Sequence, residues 1–577
     1  MTKHNIPRPR LSKLVISNFR CIGPKPVVID LDEIVVLVGP NNSGKSSILR
    51  AYEVVMCDGS KNGELNLDDF PNGKIESHAL PKIELHTVVY DHSPGEKWID
   101  ETSGEKVVRE LWTWANIGKA KRQGFNVTTG EWDDSVPWGA ANVANSRRPQ
   151  PHKVDAFSDP EVQSKEIIKL LTSIINDRVK SFINPKIDQE EQSEFVKLLE
   201  QVKTIQKSII SESQDEINKA QDGISELIKE VFPGYKVVFD SRPEDDIEKS
   251  ISLFKAGSKL LMGPEEGFQS TIDRQGSGAR RTLLWAALRY ISESSSKNDR
   301  PHVLLLDEPE LCLHPNAVRE ACRVLYDLPK TNKWQVMVTT HSPSFIDVSR
   351  DNTTIIRVER NAEGEIEGTT VYRPNKIMLN DDDKVRLKLL NICDPYVTEF
   401  FFGGHTIVVE GDTEYTAFKH VISQYPDQFK DVHIIRARGK ATIISLIKIL
   451  NHFGSRYSIL HDSDYPTLSN GNKNGAWTTN ENIRNAVYCH EDPTKVRLIA
   501  SIRNFENAFL GEEVSKEKPY NALVNLMEKP NSLKQIRDLL EALVNHAARI
   551  PHGFIEWDVL EDLEKSLNNR TELNHFS

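Results

Sequence analysis

Two stretches of this chain have the residue types and spacing of phosphate chemistry. The first is Gly39-Pro40-Asn41-Asn42-Ser43-Gly44-Lys45-Ser46, a match to G-x-x-x-x-G-K-[ST]. In such a loop the backbone N–H groups converge on phosphate, which makes Asn41, Asn42, Gly44, Lys45, Ser46 and Ser47 the candidate nucleotide contacts. Lys45 is expected to reach the β- and γ-phosphates of ATP, and the Ser46 hydroxyl to ligate Mg²⁺. The second stretch is Glu410 together with His461-Asp462-Ser463-Asp464. Asp462 and Asp464 fall on alternate positions of an extended segment and point the same way, so with Glu410 they offer hard oxygens suited to Mg²⁺ or Mn²⁺. Two such ions about 3.5–4 Å apart stabilise both the attacking and the leaving oxygen of a phosphodiester.

Each set needs strands to hold it. Ile34-Val35-Val36-Leu37-Val38 reads as a buried strand, and Ser46 to Ala51 as the first turns of a helix, so the glycines fall at a strand-to-helix turn. A second apolar strand, Val303 to Leu306, ends in Asp307 and Glu308, the one placed to hold Mg²⁺ and the other to polarise the attacking water. Arg274-Gln275-Gly276-Ser277-Gly278 is a small-residue turn that opens a helix over 279–290, and Val336 to Thr340 is a strand ending in His341. In the last third, strands are predicted at 405–409, 432–435 and 457–460, with helices over 415–424 and 442–453 between them.

The whole chain sets limits on partners. At 577 residues it is expected to hold about three domains. Its net charge of -11 excludes a generally basic surface, so any nucleic acid must be bound locally. Six cysteines without a C-x-x-C pair indicate neither a disulfide framework nor a zinc site, which fits a reducing cytoplasm. The N-terminus lacks an apolar signal core, and no apolar run is long enough to span a membrane. Strands are expected near 11–19, 27–31, 83–90, 107–114 and 235–239, whereas 118–151, rich in Gly, Asn, Pro and Arg, reads as loop. Within and beside it Lys119, Lys121, Arg122, Arg147, Arg148 and Lys153 read either as a solvated surface or as contacts to a phosphate backbone. Leu198, Val202, Ile205 and Ile209 keep a heptad step, which fits a dimerisation arm or a hairpin folded back on its own chain.

The elements from Gly39 to His341 resemble an ABC-type ATPase head of structural-maintenance and DNA-repair proteins. The resemblance implies that Ser277 binds the γ-phosphate of a second copy's ATP, that Glu308 is the catalytic base and that His341 senses the γ-phosphate. The Gln-containing loop of that family has no clear counterpart, Gln123 being a candidate by elimination. The succession Val408-Val409-Glu410-Gly411-Asp412-Thr413-Glu414 and Asp462-Ser463-Asp464 resembles a Toprim domain. An ATPase head followed by Toprim resembles the OLD (overcoming lysogenization defect) nucleases, which include the GajA subunit of the Gabija antiphage system and effectors of some retrons.

That resemblance implies an α/β fold in four stretches: a first ATPase part at 1–160, a helical insertion at 161–232, a second ATPase part at 233–390 and a Toprim domain at 391–577. It adds Glu414 and Glu506 to the metal ligands Glu410, Asp462 and Asp464, and a catalytic lysine, Lys529 with Lys534 second. The implied function is an ATP-regulated, metal-dependent DNA endonuclease for antiphage defence. Its partners would be DNA, further copies of itself as dimer or tetramer, and a helicase or a retron reverse transcriptase with its DNA. The alternative is an ATP-driven DNA clamp with a non-catalytic Toprim platform. A primase or topoisomerase is a third option, disfavoured because no zinc ribbon and no recognisable breakage-reunion domain accompany the acids.

Overall fold

The computed structural model describes residues 9–154, parts of 161–168, residues 215 and 217–240, 259–293, and 301–574 apart from short breaks at 312, 332–333, 349, 351, 362–363, 374–376, 378, 395–396, 453, 455 and 512–515. The heptad residues Leu198 to Ile209 lie outside the described residues. The chain divides into two compact units. The first comprises Met1–Leu37, Asn42–Phe345 and Val358–Gly368, and the second Val38–Asn41, Ile346–Arg357 and Thr369–Ser577.

The centre of the first unit is a set of parallel strands in the order Gln150–Val154, His302–Asp307, Trp334–Thr339, Ile34–Val38. Their near-continuous Val, Ile and Leu content is that of strands covered on both faces, and Ile34 to Val38 are all buried. The register sets Asp307 beside Thr339 and Thr339 beside Leu37, so the carboxyl ends of three strands come level. An antiparallel layer runs Val27–Asp30, Arg10–Ser17, Lys82–Val88, Val107–Thr113, Lys121–Asn126, Glu131–Asp133.

The stretch 118–151 is therefore no loop: it holds the last two strands of that layer, the helix Ala141–Arg147 and the start of Gln150–Val154. Its basic residues are mostly committed to the fold. Arg148 is fully buried and both Glu110 oxygens accept from its Nη2 at 2.6 Å, while Arg122 Nε donates to the same carboxylate at 2.8 Å. Lys153 pairs with Glu53 at 2.9 Å and Lys121 with Asp134 at 2.8 Å. A buried carboxylate shared by two guanidiniums satisfies charges that would otherwise cost several kcal/mol each. Gln123 Nε2 donates to Asp134 at 2.7 Å, a bond within this layer.

The second unit carries a five-stranded sheet in the order Val432–Arg436, His405–Val409, Tyr457–Asp462, Val496–Ser501, Phe554–Glu556, parallel except for the last strand. Helices Asp412–Gln424, Lys440–His452 and Gly475–Tyr488 connect successive strands. Ile407, Val409, Phe418, Leu460, Ile499, Phe505, Leu526, Leu539 and Leu543 form one buried cluster between sheet and helices. The connections leave His405–Val409 to one side and return on the other, so a topological switch point lies between His405–Val409 and Tyr457–Asp462. Among the described residues, no helix is long and apolar enough to cross a membrane.

At the opposite end of that sheet His405 Nε2 donates to the Leu543 carbonyl at 2.9 Å. Burial, with Arg456 nearby, lowers its pKa from 6.5 to about 4. Between those values the unfolded chain holds a proton that the folded chain does not, so stability is full above about 6.5 and is lost as pH falls towards 4. Thermal unfolding should thus occur at lower temperature at pH 5 than at pH 7, and His405→Gln should shrink that difference. An unchanged difference in the variant would remove His405 as its source.

Candidate functional site

The phosphate loop leaves its strand through three residues of positive φ, Gly39 (φ 140°), Asn42 (φ 60°) and Gly44 (φ 99°). Gly44 has no room for a side chain, because an added Cβ would lie 2.7 Å from Ile366 Cδ1. The helix Lys45–Met56 follows at once and presents its free N–H groups to the loop. Burial pulls the Lys45 pKa down, opposed by the charges of Glu308, Asp307 and Glu310, which places the ammonium among these acids.

The side chains that ring Lys45 are held in a definite network. Ser46 Oγ donates to Asp307 Oδ1 at 3.1 Å, and Thr339 Oγ1 donates to the same oxygen at 2.6 Å. Glu308 sits at φ 43°, unusual for a residue with a side chain, and its N–H is held by Thr339. Its carboxylate lies 3.2 Å from His341 Nε2. Burial and the Lys45 charge lower the His341 pKa, against the opposing pull of Glu308. Ser47 Oγ lies 3.2 Å from Cys21 Sγ, inside the helix's buried face.

Ser277 opens the helix Ser277–Glu293 and is exposed. From the same helix Arg281 Nη1 donates to the Glu308 carbonyl at 2.8 Å, a direct link between the helix that Ser277 opens and the end of the acid strand. One residue of this network has no part in the sequence reading. Glu310 Oε1 accepts from the N–H groups of His341 (2.7 Å) and Ser342 (3.2 Å) and from Thr340 Oγ1 (2.8 Å), so it shapes the turn that presents His341. Its signal in the sequence is the third acid of Asp307-Glu308-Pro309-Glu310, two residues beyond the expected base.

The Toprim acids gather at the switch point. Glu410 directly follows its strand, Asp462 ends the neighbouring one, and the Asp462 N–H donates to Glu410 Oε2 at 3.0 Å. Glu414 lies one turn into the helix Asp412–Gln424, with Oε2 3.1 Å from where a Gly411 Cβ would be. Glu506 lies in the helix Phe505–Leu510 and accepts from Thr413 Oγ1 at 2.8 Å.

These carboxyls are mutually unfavourable. Burial and the nearby Glu410 and Glu506 raise Glu414 to about 8. Burial and the four surrounding acids, Glu414, Glu410, Asp464 and Glu506, push Asp462 well above the usual range, and burial also raises Glu410. Asp462 Oδ1 is buried with no hydrogen-bond partner among the described residues. An orphaned carboxylate oxygen inside a ring of acids fits a divalent cation, which offsets the repulsion and supplies the missing partner.

The five acids do not form a ready cage, however. Among the described residues no three His, Cys, Asp or Glu side chains are arranged to hold an ion. Two of the acids are engaged by lysines instead: Lys440 Nζ bonds Asp464 Oδ2, and Lys518 Nζ bonds Glu506 Oε2 at 3.2 Å. Lys440 is 7% exposed, and its charge opposes the rise that burial imposes on the Glu410 pKa. In the sequence it falls between the strand at 432–435 and the helix at 442–453. Lys529, expected to serve the chemistry, is exposed at the junction of the helices Lys518–Glu528 and Pro530–Val544, where its backbone N–H caps Asn525. Lys534, the second choice, lies in the helix Pro530–Val544.

Comparison with known proteins matches both units. A family described as AAA ATPase domain covers residues 10–101 and 148–346, half of the chain, and one described as overcoming lysogenization defect protein-like, TOPRIM domain covers 401–464. The chain belongs to the AAA ATPase family, its ATPase domain joined to a Toprim domain similar to that of overcoming lysogenization defect proteins. Among curated relatives, the Old nuclease of Escherichia phage P2 is 25% identical over 482 residues, which is 80% of this chain and 78% of that protein. The OLD nuclease of Thermus scotoductus is 24% identical over 479 residues, 79% of this chain and 82% of its own. A solved SMC head bound to the C-winged helix domain of ScpA aligns with a TM-score of 0.41 at 16% identity, over 63% of this chain and 98% of that one.

Proposed function

We propose that this chain is a divalent-metal-dependent DNA endonuclease of the OLD family, under the control of its ATPase head and used in defence against phage in the cytoplasm. The observation that carries the reading is the buried acid cluster at the switch point, with its unpartnered Asp462 oxygen. The two nucleases among its relatives support the same reaction class. Glu410, Glu414, Asp462, Asp464 and Glu506 would hold Mg²⁺ or Mn²⁺, which when bound activates water and stabilises charge on the phosphodiester oxygens. Lys440, buried and already paired with Asp464, orients that carboxylate and adds a fixed positive charge beside the reacting phosphate. The exposed Ser277 supports pairing of heads between two copies, each completing the other's ATP site.

The test is supercoiled plasmid with Mg²⁺ or Mn²⁺, with and without ATP. Nicking or linearisation that EDTA stops is the expected result, and intact plasmid under every nucleotide condition would sink the reading. A DNA clamp with a non-catalytic Toprim platform draws on one observation, the absence of a ready cage among the described residues. Calorimetry separates the two, since a platform should take up no Mn²⁺ in an Asp462- and Asp464-dependent way. The two lysines are separable as well. Lys440→Met should slow cutting by about 10²-fold, the scale for losing one charge-stabilising group, whereas Lys529→Ala should stay within about twofold. The reverse order would return the role to Lys529.

A further inference from the structure

Beside the acid cluster lies a cation that the mechanism above does not use. Arg503 follows the strand Val496–Ser501 in a left-handed conformation, φ 67°, and Asp464 opposite it is left-handed too, φ 59°. The two turns are locked together. The Asp464 N–H donates to the Arg503 carbonyl at 2.9 Å, the Arg503 N–H donates to Ser463 Oγ at 2.8 Å, and the Ser463 N–H donates to the Ser501 carbonyl at 2.9 Å. Two strained residues in one hydrogen-bonded unit mark a place where geometry is kept at an energetic cost.

The side chain is as unusual as the backbone. Arg503 Nε is buried with no hydrogen-bond partner among the described residues, and its guanidinium carbon stands 5.4 Å from the centre of the Tyr465 ring. Tyr465 directly follows Asp464 and is 43% exposed. Its loop is braced: Asn474 Nδ2 donates to the Tyr465 carbonyl at 2.9 Å, and the Asn474 N–H to the Pro466 carbonyl at 2.9 Å. A rigid aromatic with a guanidinium close by and much of its surface in solvent has the composition of a stacking platform, because every base presents a π-face.

We infer that Arg503 and Tyr465 form a clamp for an unpaired nucleotide of a DNA strand, the guanidinium holding a phosphate next to the acids and the tyrosine ring stacking a base. The clamp rests on the reading of this unit as one that cuts DNA, and it deepens that reading to single-stranded or locally opened substrate. A paired base cannot lie flat on Tyr465 without leaving its stack, which is costly in duplex and nearly free in single strand.

The test is fluorescence anisotropy of a labelled oligodeoxynucleotide, single-stranded or annealed to its complement, in EDTA so that nothing is cut. Tyr465→Ala should weaken single-strand binding by about tenfold and duplex binding by less than about twofold, while Tyr465→Phe, which keeps the ring, stays near wild type. Arg503→Gln should weaken both and lower the salt slope by about one charge. Single-strand binding unchanged in Tyr465→Ala, or duplex binding weakened as much as single strand, would overturn the clamp. Tyr465-dependent binding by a protein that cuts no DNA would leave the clamp standing and remove the nuclease. Asp462-dependent cutting with Tyr465-independent binding would do the opposite.

Discussion

Asp462→Asn should abolish strand cutting, a loss of about 10³-fold or more, and leave ATP turnover within about twofold of wild type. Asp462 ends the middle strand of the Toprim sheet, its backbone fixes Glu410, and its free oxygen faces four other acids. Asparagine keeps the shape but removes the anion that a hard cation needs. The same change should stabilise the metal-free protein. The folded-state pKa of Asp462 is raised, so above its ordinary value the unfolded chain sheds a proton that the fold retains or releases at a cost. In EDTA, Asp462→Asn should therefore melt a few degrees above wild type at pH 8, and the gap should narrow as pH falls towards the ordinary value of 3.8. Added Mn²⁺ should raise the melting temperature of wild type only. A variant that cuts normally would break the proposed division of labour between the two units; one that neither cuts nor gains stability would show that Asp462 bears no repulsion.

What the sequence makes legible here is what lies contiguous in the chain. The loop Gly39 to Ser46, the pair Asp307-Glu308, Glu410 and Asp462 each end a strand whose apolar run announces it, so residue and position are read together. The strand Lys121–Asn126 hides because its inward positions are Gly124 and Asn126 rather than apolar residues. Gly124 is required by Trp98 and Pro137, whose atoms would come within 3.0 Å of any Cβ there, and both are distant in sequence. Partners far along the chain hide the charges in the same way. Arg148 looks like surface until Glu110, 38 residues earlier, is seen to hold it, and Lys440 looks like a turn residue until Asp464 folds onto it. Arg503 is the same case, since its strain and its ring contact are properties of the assembled turn.

Glu308→Gln should slow ATP hydrolysis by about 10²–10³-fold while leaving ATP binding near wild type, whereas Lys45→Ala should lose binding itself. Glu308 is held at φ 43° by Thr339, its carbonyl takes a bond from Arg281 of the Ser277 helix, and its carboxylate meets His341. Glutamine retains that geometry and cannot accept a proton from water. The variant thus accumulates the ATP-bound head, and Lys45→Ala accumulates the empty one. If the head governs the Toprim unit through two states, the variants must move DNA cutting in opposite directions from wild type with ATP present, because a ligand shifts such an equilibrium only by favouring one state. Plasmid cutting and nucleotide turnover measured on the same preparations read both effects. Cutting that shifts the same way in both, or that ignores both while Asp462→Asn still abolishes it, would mean that the phosphate loop which first draws the eye does not control the acids from Glu410 to Glu506 further along the chain.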